Sequence, residues 1–235
     1  MLKNILLSYI LFTSGLIFAG GYTSQCDQDR YLNETFFFNK RNGVFVDIGA
    51  HDGIRYSNSY FFEKELFWTG ICIEPLPNVF EKLKQNRSCI LVNKCISSQT
   101  GTEAFLWIHD NDIPNIDGSM LSGLQRTFDP RHFARAEQHA NDIGGSIEIV
   151  NVPSININEL LDEHKLYYID YLSVDTEGSE LEILHSIDFD RFYIYTISVE
   201  NNFSSPEIRA FLMSKGFEYI TNLDVDEIYR NSKTQ

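Results

Sequence analysis

Apolar runs that suit β-strands alternate with helix-like segments along most of this chain. The run GVFVDIGA (43–50) is continuous and β-branched, as a strand buried on both faces should be. Further strand-like runs lie at 70–74, 89–97, 103–109, 146–154, 168–175, 193–200 and 217–223, and helix-like segments lie at 57–66, 78–86, 156–164, 179–187 and 206–216. Strand and helix in alternation predict an α/β fold with a parallel sheet that carries helices on both faces.

One polar stretch, 110–145, interrupts this alternation. It contains Gly, Pro and Asp and holds a single helix-like piece around 132–141. An interruption of this length in a compact domain is usually a functional loop, so we expect it to contact the substrate. The chain has 235 residues, 43% of them hydrophobic, which suits one domain. We predict that domain at 43–235, after a polar lead-in at 22–42.

The first 21 residues have the layout of a secretory signal peptide. Lys3 is followed by an uncharged apolar stretch from Ile5 to Phe18 and by small residues at Ala19 and Gly21. Because the stretch is shorter than the roughly 20 residues of a membrane-spanning helix, we expect cleavage after Gly21, with an uncleaved signal anchor as the alternative. Either way we expect the protein in the secretory pathway, secreted or in the cell envelope, with membrane contact only through this segment.

The charge of the chain argues against nucleic acid as a partner. Its 33 Asp and Glu outnumber its 19 Lys and Arg, and the net charge is −14. The sequence contains no basic run that could neutralise a row of phosphates.

The chain has four cysteines: Cys26, Cys72, Cys89 and Cys95. They form no CxxC motif and no Cys/His cluster, so we expect no zinc site. Cys72 and Cys95 fall inside predicted core strands, where we expect free buried thiols. An oxidising compartment could pair an even number of cysteines, and a disulfide that involves Cys26 or Cys89 stays open.

The first strand ends in DIGAHDG, which is typical of a ligand-binding turn. Ligands of open α/β sheets bind outside the carboxyl ends of the strands, and Gly49 and Gly53 would let the backbone approach one closely. Glu74 ends the second strand, where its carboxylate can accept hydrogen bonds from both hydroxyls of a ribose. The alternative is that the glycines only make a tight turn and that Glu74 only caps the next segment.

His51 stands where a nicotinamide-binding G-x-G-x-x-G motif needs its second glycine. A side chain of that size would crowd a pyrophosphate. We therefore expect a nucleoside cofactor without phosphates, and S-adenosylmethionine is the obvious one.

These motifs, with others further along, resemble the FkbM family of class I methyltransferases. The similar segments are FVDIGAHDG (45–53), IEP (73–75), LVNKCIS (91–97), SVDTEGSELEIL (173–184) and ISVE (197–200). The D-x-E-G-x-E motif at 175–180 is the specific part, and the resemblance runs in order from about 44 to 217. It implies a Rossmann-like domain with a mostly parallel seven-stranded sheet, which binds S-adenosylmethionine and methylates a hydroxyl of a small molecule or glycan.

The resemblance also implies which residues contact the cofactor. They belong, in order, to the glycine turn, the ribose-binding acid, the end of the third strand beside the adenine, and the sheet edge near the sulfonium. They are Asp47, Gly49, Ala50, Gly53, then Glu74, then Cys95, Ile96 and Ser97, and finally Asp175. The insert at 110–145 matches no pattern of the family, so the acceptor is not implied.

The carboxylates of the segment from 175 to 182 divide into two groups. Ser179 and Glu182 fit a capping box at a helix start, and the helix dipole favours Glu180 in the first turn. Asp175 and Glu177 lie between the strand end and that cap. A negative environment there could stabilise the cation of the donor, and a raised pKa would suit a base that accepts the hydroxyl proton.

Two further residues are candidate bases. Glu200 ends the next strand at the same edge, and His109 ends a predicted strand just before the insert. Asp175, Glu200 and Asn201 are similar to the oxygen ligands of metal-dependent catechol-type methyltransferases, in which an Asp stands at the position of Glu200. Because of that substitution, and with no further ligand in the pattern, we predict no metal.

Two other functions stay open. One is a non-catalytic binding module, secretory or membrane-tethered, that keeps the methyltransferase fold, because S-adenosylmethionine is made in the cytosol. The presence of Gly49, Gly53 and Glu74 weighs against it. The other is a nucleotide-dependent oxidoreductase, which the missing G-x-G-x-x-G weighs against.

Overall fold

The computed structural model describes residues 21–109 and 117–233. The strands are β1 Val44–Ile48, β2 Thr69–Ile73, β3 Ile90–Val92, β4 Cys95–Ile96, β5 Gly101–His109, β6 Gly123–Leu124, β7 Ser146–Ile155, β8 Tyr168–Val174, β9 Tyr193–Glu200, β10 Phe217–Leu223 and β11 Asp226–Asn231. The α-helices are α1 Gln28–Leu32, α2 Tyr60–Leu66, α3 Pro77–Asn86, α4 Pro130–Asp142, α5 Ile157–Glu163, α6 Glu180–Ser186 and α7 Pro206–Ser214. A π-helical turn, Asn33–Phe37, continues α1, and 3₁₀ turns lie at Gly118–Leu121 and Gln125–Thr127.

Seven strands form the large sheet, in the order β10-β11-β9-β8-β1-β2-β3. Strand β11 runs antiparallel to both of its neighbours, while the pairs from β9 to β3 are parallel. The predicted α/β class is confirmed, and the sheet is mixed. The sequence pattern missed β11, which returns from β10 as a short hairpin; a connection this short can join only antiparallel strands.

A second sheet of four strands, in the order β4-β7-β5-β6, was not predicted. The single strand expected at 89–97 is wrong, because β3 belongs to the large sheet and β4 to the small one. Asn93 separates them: its side chain donates to the carbonyls of Glu74 and Pro75, at 2.8 and 3.0 Å, so the chain turns toward the end of β2. Strands β5 and β7 then pair antiparallel along their length and carry the insert between them.

The large sheet is buried on both faces, as its apolar strands require. On one face Ile71 and Ile73 of β2 pack with the helices α5, α6 and α7. On the other, Phe45 and Cys72 pack with α2 and with Leu32 of the lead-in. The lead-in therefore shares a core with the first strand.

The predicted signal peptide, apart from Gly21, lies outside the described residues. Within 21–109 and 117–233, no helix is both long and apolar enough to cross a membrane.

Candidate active site

A cavity of about 460 Å³ opens at the carboxyl ends of the parallel strands. Its wall includes carboxylates from four strands or the residues just after them: Asp47 of β1, Glu74 after β2, Asp175 after β8 and Glu200 of β9. Both the position and the size are typical of a small-molecule site in an open α/β sheet.

The first turn requires a glycine at position 49. Gly49 has φ +91°, and a Cβ placed on it would lie 1.8 Å from the carbonyl oxygen of Asp175. Its amide and that of Ala50 both donate to the carbonyl of Ile73, each at 3.0 Å. The turn therefore holds the ends of β1, β2 and β8 together at the cavity, and both Gly49 and Ala50 line it.

Gly53 has a different role from the one expected. It is not among the residues that line the cavity. With φ +80°, it packs so closely on α3 that a Cβ would lie 2.5 Å from Leu83 Cδ1 and 2.6 Å from Arg87 Cγ. The smallness of Gly53 lets the turn dock on α3, and its predicted contact with the cofactor stays a prediction.

Asp47 is braced by a buried network that the sequence pattern did not reveal. The Ser59 hydroxyl donates to its carboxylate, and the fully buried Arg87 donates to the Ser59 oxygen at 2.9 Å. Arg87 also pairs with Glu63 at 2.6 Å and donates to the Gly53 carbonyl at 3.2 Å. Burial raises the pKa of Asp47, and Arg87 and Ser59 oppose that rise. The network therefore holds the Asp47 side chain in place at the end of β1.

Glu74 faces the cavity with its carboxylate already oriented. One oxygen accepts from the Leu76 amide at 2.8 Å and the other from the His51 amide at 3.1 Å. Burial raises the pKa of Glu74 to about 7, against the effect of those hydrogen bonds. Each carboxylate oxygen retains a lone pair, so the group can still accept hydrogen bonds from a ligand.

Next to Glu74 the wall is apolar. Leu76 and Ile96 line it together with Phe105 and Leu124, and all but Leu76 belong to the small sheet. Ile96 therefore lies in the cavity wall, a position compatible with the expected adenine contact. Ser97 is not among the lining residues.

The hydroxyl of Ser97 is occupied elsewhere: it donates to Glu103 at 2.5 Å and accepts from Arg126 at 3.1 Å. Those contacts give no support to a role beside the cofactor.

Three carboxylates meet at the β8–β9 end of the cavity. Asp175, Glu177 and Glu200 each offer an oxygen within 4.8 Å of the others. Burial, then repulsion among neighbouring acids, raises the pKa of Asp175 and of Glu200 well above the usual value. Burial raises the pKa of Glu177 to about 8. Three negative charges so close together are unfavourable, so near neutral pH the group retains protons or takes up a cation.

Glu177 is held by contacts from two sides. His132 Nε2 of α4 lies 3.2 Å from its Oε2, and the Asn202 amide donates to the same oxygen at 3.2 Å. Arg135 of α4 also lines the cavity and adds a favourable charge. The backbone of Glu177 has φ +58°, a conformation that side chains rarely adopt and that clusters at functional sites.

The start of α6 differs from the predicted capping box, which is wrong. The Ser179 hydroxyl donates to the Thr176 side chain and caps no helix amide. Glu182 pairs with Arg126. Glu180 turns back and accepts from the amides of Thr176 and Gly178, at 2.9 and 3.0 Å. The last acid of the D-x-E-G-x-E motif thus stabilises the loop from which Asp175 and Glu177 reach the cavity.

Gly178 has φ +126°, as the motif suggested, and a Cβ on it would lie 3.0 Å from the carbonyl of Thr127 in the insert. Asn201, the third member of the metal pattern, is occupied by Ser205: it accepts from the Ser205 amide at 2.7 Å and donates to its carbonyl at 3.0 Å. Asn201 is thus engaged with Ser205, while Asp175, Glu177 and Glu200 lie close enough together to hold an ion.

His109 lies away from the cavity wall. Its ring packs against Trp107, tilted by 35° with centroids 3.4 Å apart, and its Nε2 lies 3.4 Å from Glu148. This position gives no support to its role as a base. His132, for which the sequence showed no partner, does reach a cavity carboxylate, Glu177.

His51 connects the first turn to the insert. Its Nε2 lies 3.3 Å from Asp117 Oδ2 and 3.1 Å from the hydroxyl of Ser119. Together with α4, these contacts make the described part of the insert, 117–145, a wall of the cavity. Its predicted contact with the substrate stays a prediction.

Comparison with known proteins identifies relatives. The model of the methyltransferase FkbM domain matches residues 47–219. A curated protein of Sordaria araneosa, named methyltransferase sdnD, is 26% identical over 203 residues, which cover 75% of this chain and 74% of that protein.

Proposed function

Because the chain belongs to the FkbM methyltransferase family, we propose that it transfers the methyl group of S-adenosylmethionine to a hydroxyl of a small molecule or glycan. The observation that carries this proposal is that Glu74 and Asp175 face one cavity. They follow β2 and β8, the two neighbours of β1, and so stand on either side of the Gly49 turn.

The residues on the wall suit the parts of this cofactor. Glu74, held by two backbone amides, would accept hydrogen bonds from the ribose hydroxyls. The apolar wall of Ile96, Phe105 and Leu124 would cover the adenine. The acidic end around Asp175 would favour a positive charge. A cavity of about 460 Å³ is in the range of small-molecule sites.

S-adenosylmethionine supplies, when bound, an electrophilic methyl group on a sulfonium. The chain would hold the acceptor oxygen in line with that methyl group and accept the hydroxyl proton. We assign the proton to Glu177, because its pKa of about 8 suits a base near neutral pH and its carboxylate is positioned by His132 and Asn202. Asp175 and Glu200, beside it, are the alternative bases.

We also propose that the reaction needs no metal. The Asn202 amide donates to one oxygen of Glu177 and would repel a cation there, and Asn201 is held by Ser205. Activity should survive treatment with a chelator. Loss of activity on chelation and its return with Mg²⁺ would show that Asp175, Glu177 and Glu200 hold an ion.

The proposed location follows from the N-terminal segment: export to the secretory pathway or cell envelope, or anchoring in the membrane if residues 1–21 are retained. The net charge of −14 supports a small molecule or glycan over nucleic acid as the acceptor. The mass of the intact protein recovered from its source cells measures whether the segment is removed.

Calorimetric titration with S-adenosylmethionine tests the proposed function. Glu74→Ala should weaken binding about ten- to a hundredfold, because a charged hydrogen-bond acceptor is lost. Glu81→Ala, on the exposed surface of α3, is the matched control and should bind like the unmodified protein.

Absence of binding by the unmodified protein would overturn the methyltransferase assignment and favour a non-catalytic module. Binding of a nicotinamide dinucleotide in its place would favour the oxidoreductase.

A further inference from the structure

Two of the four cysteines lie side by side in the core. The sulfur of Cys72 is 3.6 Å from that of Cys89. Cys72 is fully buried in β2, and Cys89 is half-buried just before β3. Neither takes part in the proposed methyl transfer.

The sheet explains why the two thiols meet. Cys72 is opposite Leu91 in the parallel β2–β3 pair. Side chains alternate along a strand, so Leu91 and Cys89, two residues apart, face the same side as Cys72. All three pack in the same core cluster. The meeting is thus a consequence of the strand register and not of a chance side-chain rotation.

The gap is small enough to close. Two bonded sulfurs lie about 2.05 Å apart, so the thiols must approach by roughly 1.5 Å. Cys72 is fixed in the centre of a ladder, but Cys89 precedes the first paired residue of β3, Ile90. Movement of Cys89 therefore breaks no pairing of the sheet.

We propose that Cys72 and Cys89 form a disulfide when the protein meets a small disulfide oxidant such as glutathione disulfide. Cys89, the more accessible, attacks the oxidant as thiolate, forms a mixed disulfide and releases one glutathione thiol. Cys72 then loses its proton and attacks the Cys89 sulfur, which releases the second. Two cysteine thiols give up two electrons and two protons, and one glutathione disulfide becomes two glutathione thiols.

The surroundings favour this pair over the other cysteines. The Arg87 guanidinium interacts favourably with the thiolates of both Cys72 and Cys89, and so opposes the burial that raises the pKa of Cys72 well above its usual value. Cys95 is buried in a different cluster, with Leu76 and Phe105, and the Cys26 sulfur faces Asp224.

Closing this bond would constrain the part of the chain that carries Glu74. The ring formed by residues 72–89 contains the end of β2, Glu74 and all of α3. A cross-link across a loop of this length lowers the entropy of the unfolded chain and should raise the melting temperature by about 5–10 °C. The inference does not depend on the proposed function.

Peptide mapping of the full-length protein tests it directly, since trypsin places each cysteine in a different peptide. After incubation with glutathione disulfide, alkylation in denaturant and digestion, peptides 65–82 and 88–94 should appear as one species, two hydrogens lighter than their sum. Recovery of both as alkylated thiols, or a link between any other two cysteines, would overturn the proposal.

Melting temperature supplies a second readout. The oxidised protein should melt higher than the reduced one, and Cys89→Ser should abolish the difference, while Cys26→Ser and Cys95→Ser retain it. Because Cys89 is half-buried, its serine variant tests the pair even if Cys72→Ser fails to fold. A difference that persists in Cys89→Ser would contradict the assignment.

Discussion

The two ends of the cavity hold their carboxylates in opposite ways. At the β1–β2 end, Asp47 accepts from Ser59 and Glu74 accepts from two backbone amides. At the β8–β9 end, the side chains of Asp175 and Glu200 accept no hydrogen bond from the described residues, and they repel each other. Hydrogen bonds orient the carboxylates of the first end before any ligand binds, whereas the negative charges of the second end lie close together and repel one another. We expect this difference if the β1–β2 end, the binding end, holds the cofactor and the β8–β9 end, the reacting end, carries out the transfer.

The largest expected effect tests the reacting end. Glu177→Gln should lower the rate of methyl transfer about a hundred- to ten-thousandfold, because a positioned base contributes that much. The affinity for S-adenosylmethionine should change less than threefold. Single-turnover kinetics and calorimetry on the same protein measure the two quantities, and a variant that keeps its rate would remove Glu177 as the base. Glu218→Gln, exposed and paired with Arg230, is the control.

Loss of the buried arginine under Asp47 should lower stability more than loss of an exposed arginine. Arg87→Met removes the buried guanidinium that pairs with Glu63 and donates to Ser59 and to the Gly53 carbonyl, which should lower the free energy of unfolding by about 3–5 kcal/mol although Lys64 still pairs with Glu63. Arg191→Met removes the exposed pair with Asp162 and should cost less than about 1 kcal/mol. Urea denaturation compares them. Equal losses would mean that the network under Asp47 does not stabilise the fold.

Two carboxylates, Glu63 in the network under Asp47 and Glu177 at the β8–β9 end, should respond to pH in opposite directions. Burial opposes ionisation of Glu63, but Arg87 and hydrogen bonds lower its pKa to about 2, so its contribution is present above pH 4.5 and is lost as pH falls toward 2. The pKa of Glu177 is raised to about 8, so the folded state binds the extra proton and stability falls as pH rises from 4.5 to 8. At about 1.4 kcal/mol per pKa unit, the effect should be about 3 kcal/mol for Glu63 and about 5 kcal/mol for Glu177.

Denaturation between pH 3 and 9 measures both slopes. Glu177→Gln should reduce the slope between pH 4.5 and 8, to which Glu74, Asp175 and Glu200 also contribute because burial raises their pKa, and should leave the acid limb unchanged. An unaltered curve in Glu177→Gln would show that the acidic end is not strained by its charges.

The carboxylates at the ends of the parallel strands could be placed at one cavity from the sequence, for a physical reason. Because the carboxyl ends of parallel strands meet at one edge, the positions of Asp47, Glu74, Asp175 and Glu200 at one cavity follow from the alternation of strands alone. Each of these residues directly ends or follows an apolar run.

The contacts that depend on distant chain segments could not be predicted. Arg87 ends a helix and looks like an ordinary C-terminal cation until the fold brings it under Asp47. His132 reaches Glu177 only because β5 and β7 pair and place α4 over the cavity. The capping box failed for a related reason: Glu182 pairs with the distant Arg126, and the Ser179 hydroxyl donates to the Thr176 side chain.

The smallest expected effect is the difference between two substitutions at the start of α6, one at Glu180 and one at Glu182. Glu180 accepts hydrogen bonds from two backbone amides of the loop, so Glu180→Ala should cost about 2 kcal/mol and reduce methyl transfer, since the loop that carries Asp175 and Glu177 loses its support. Glu182 pairs with the half-exposed Arg126, so Glu182→Ala should cost less than about 1 kcal/mol, with a cost that shrinks in salt. Denaturation at low and high salt, with rates measured alongside, separates them. A larger loss in Glu182→Ala would restore the capping box and leave the loop at the reacting end without its explanation.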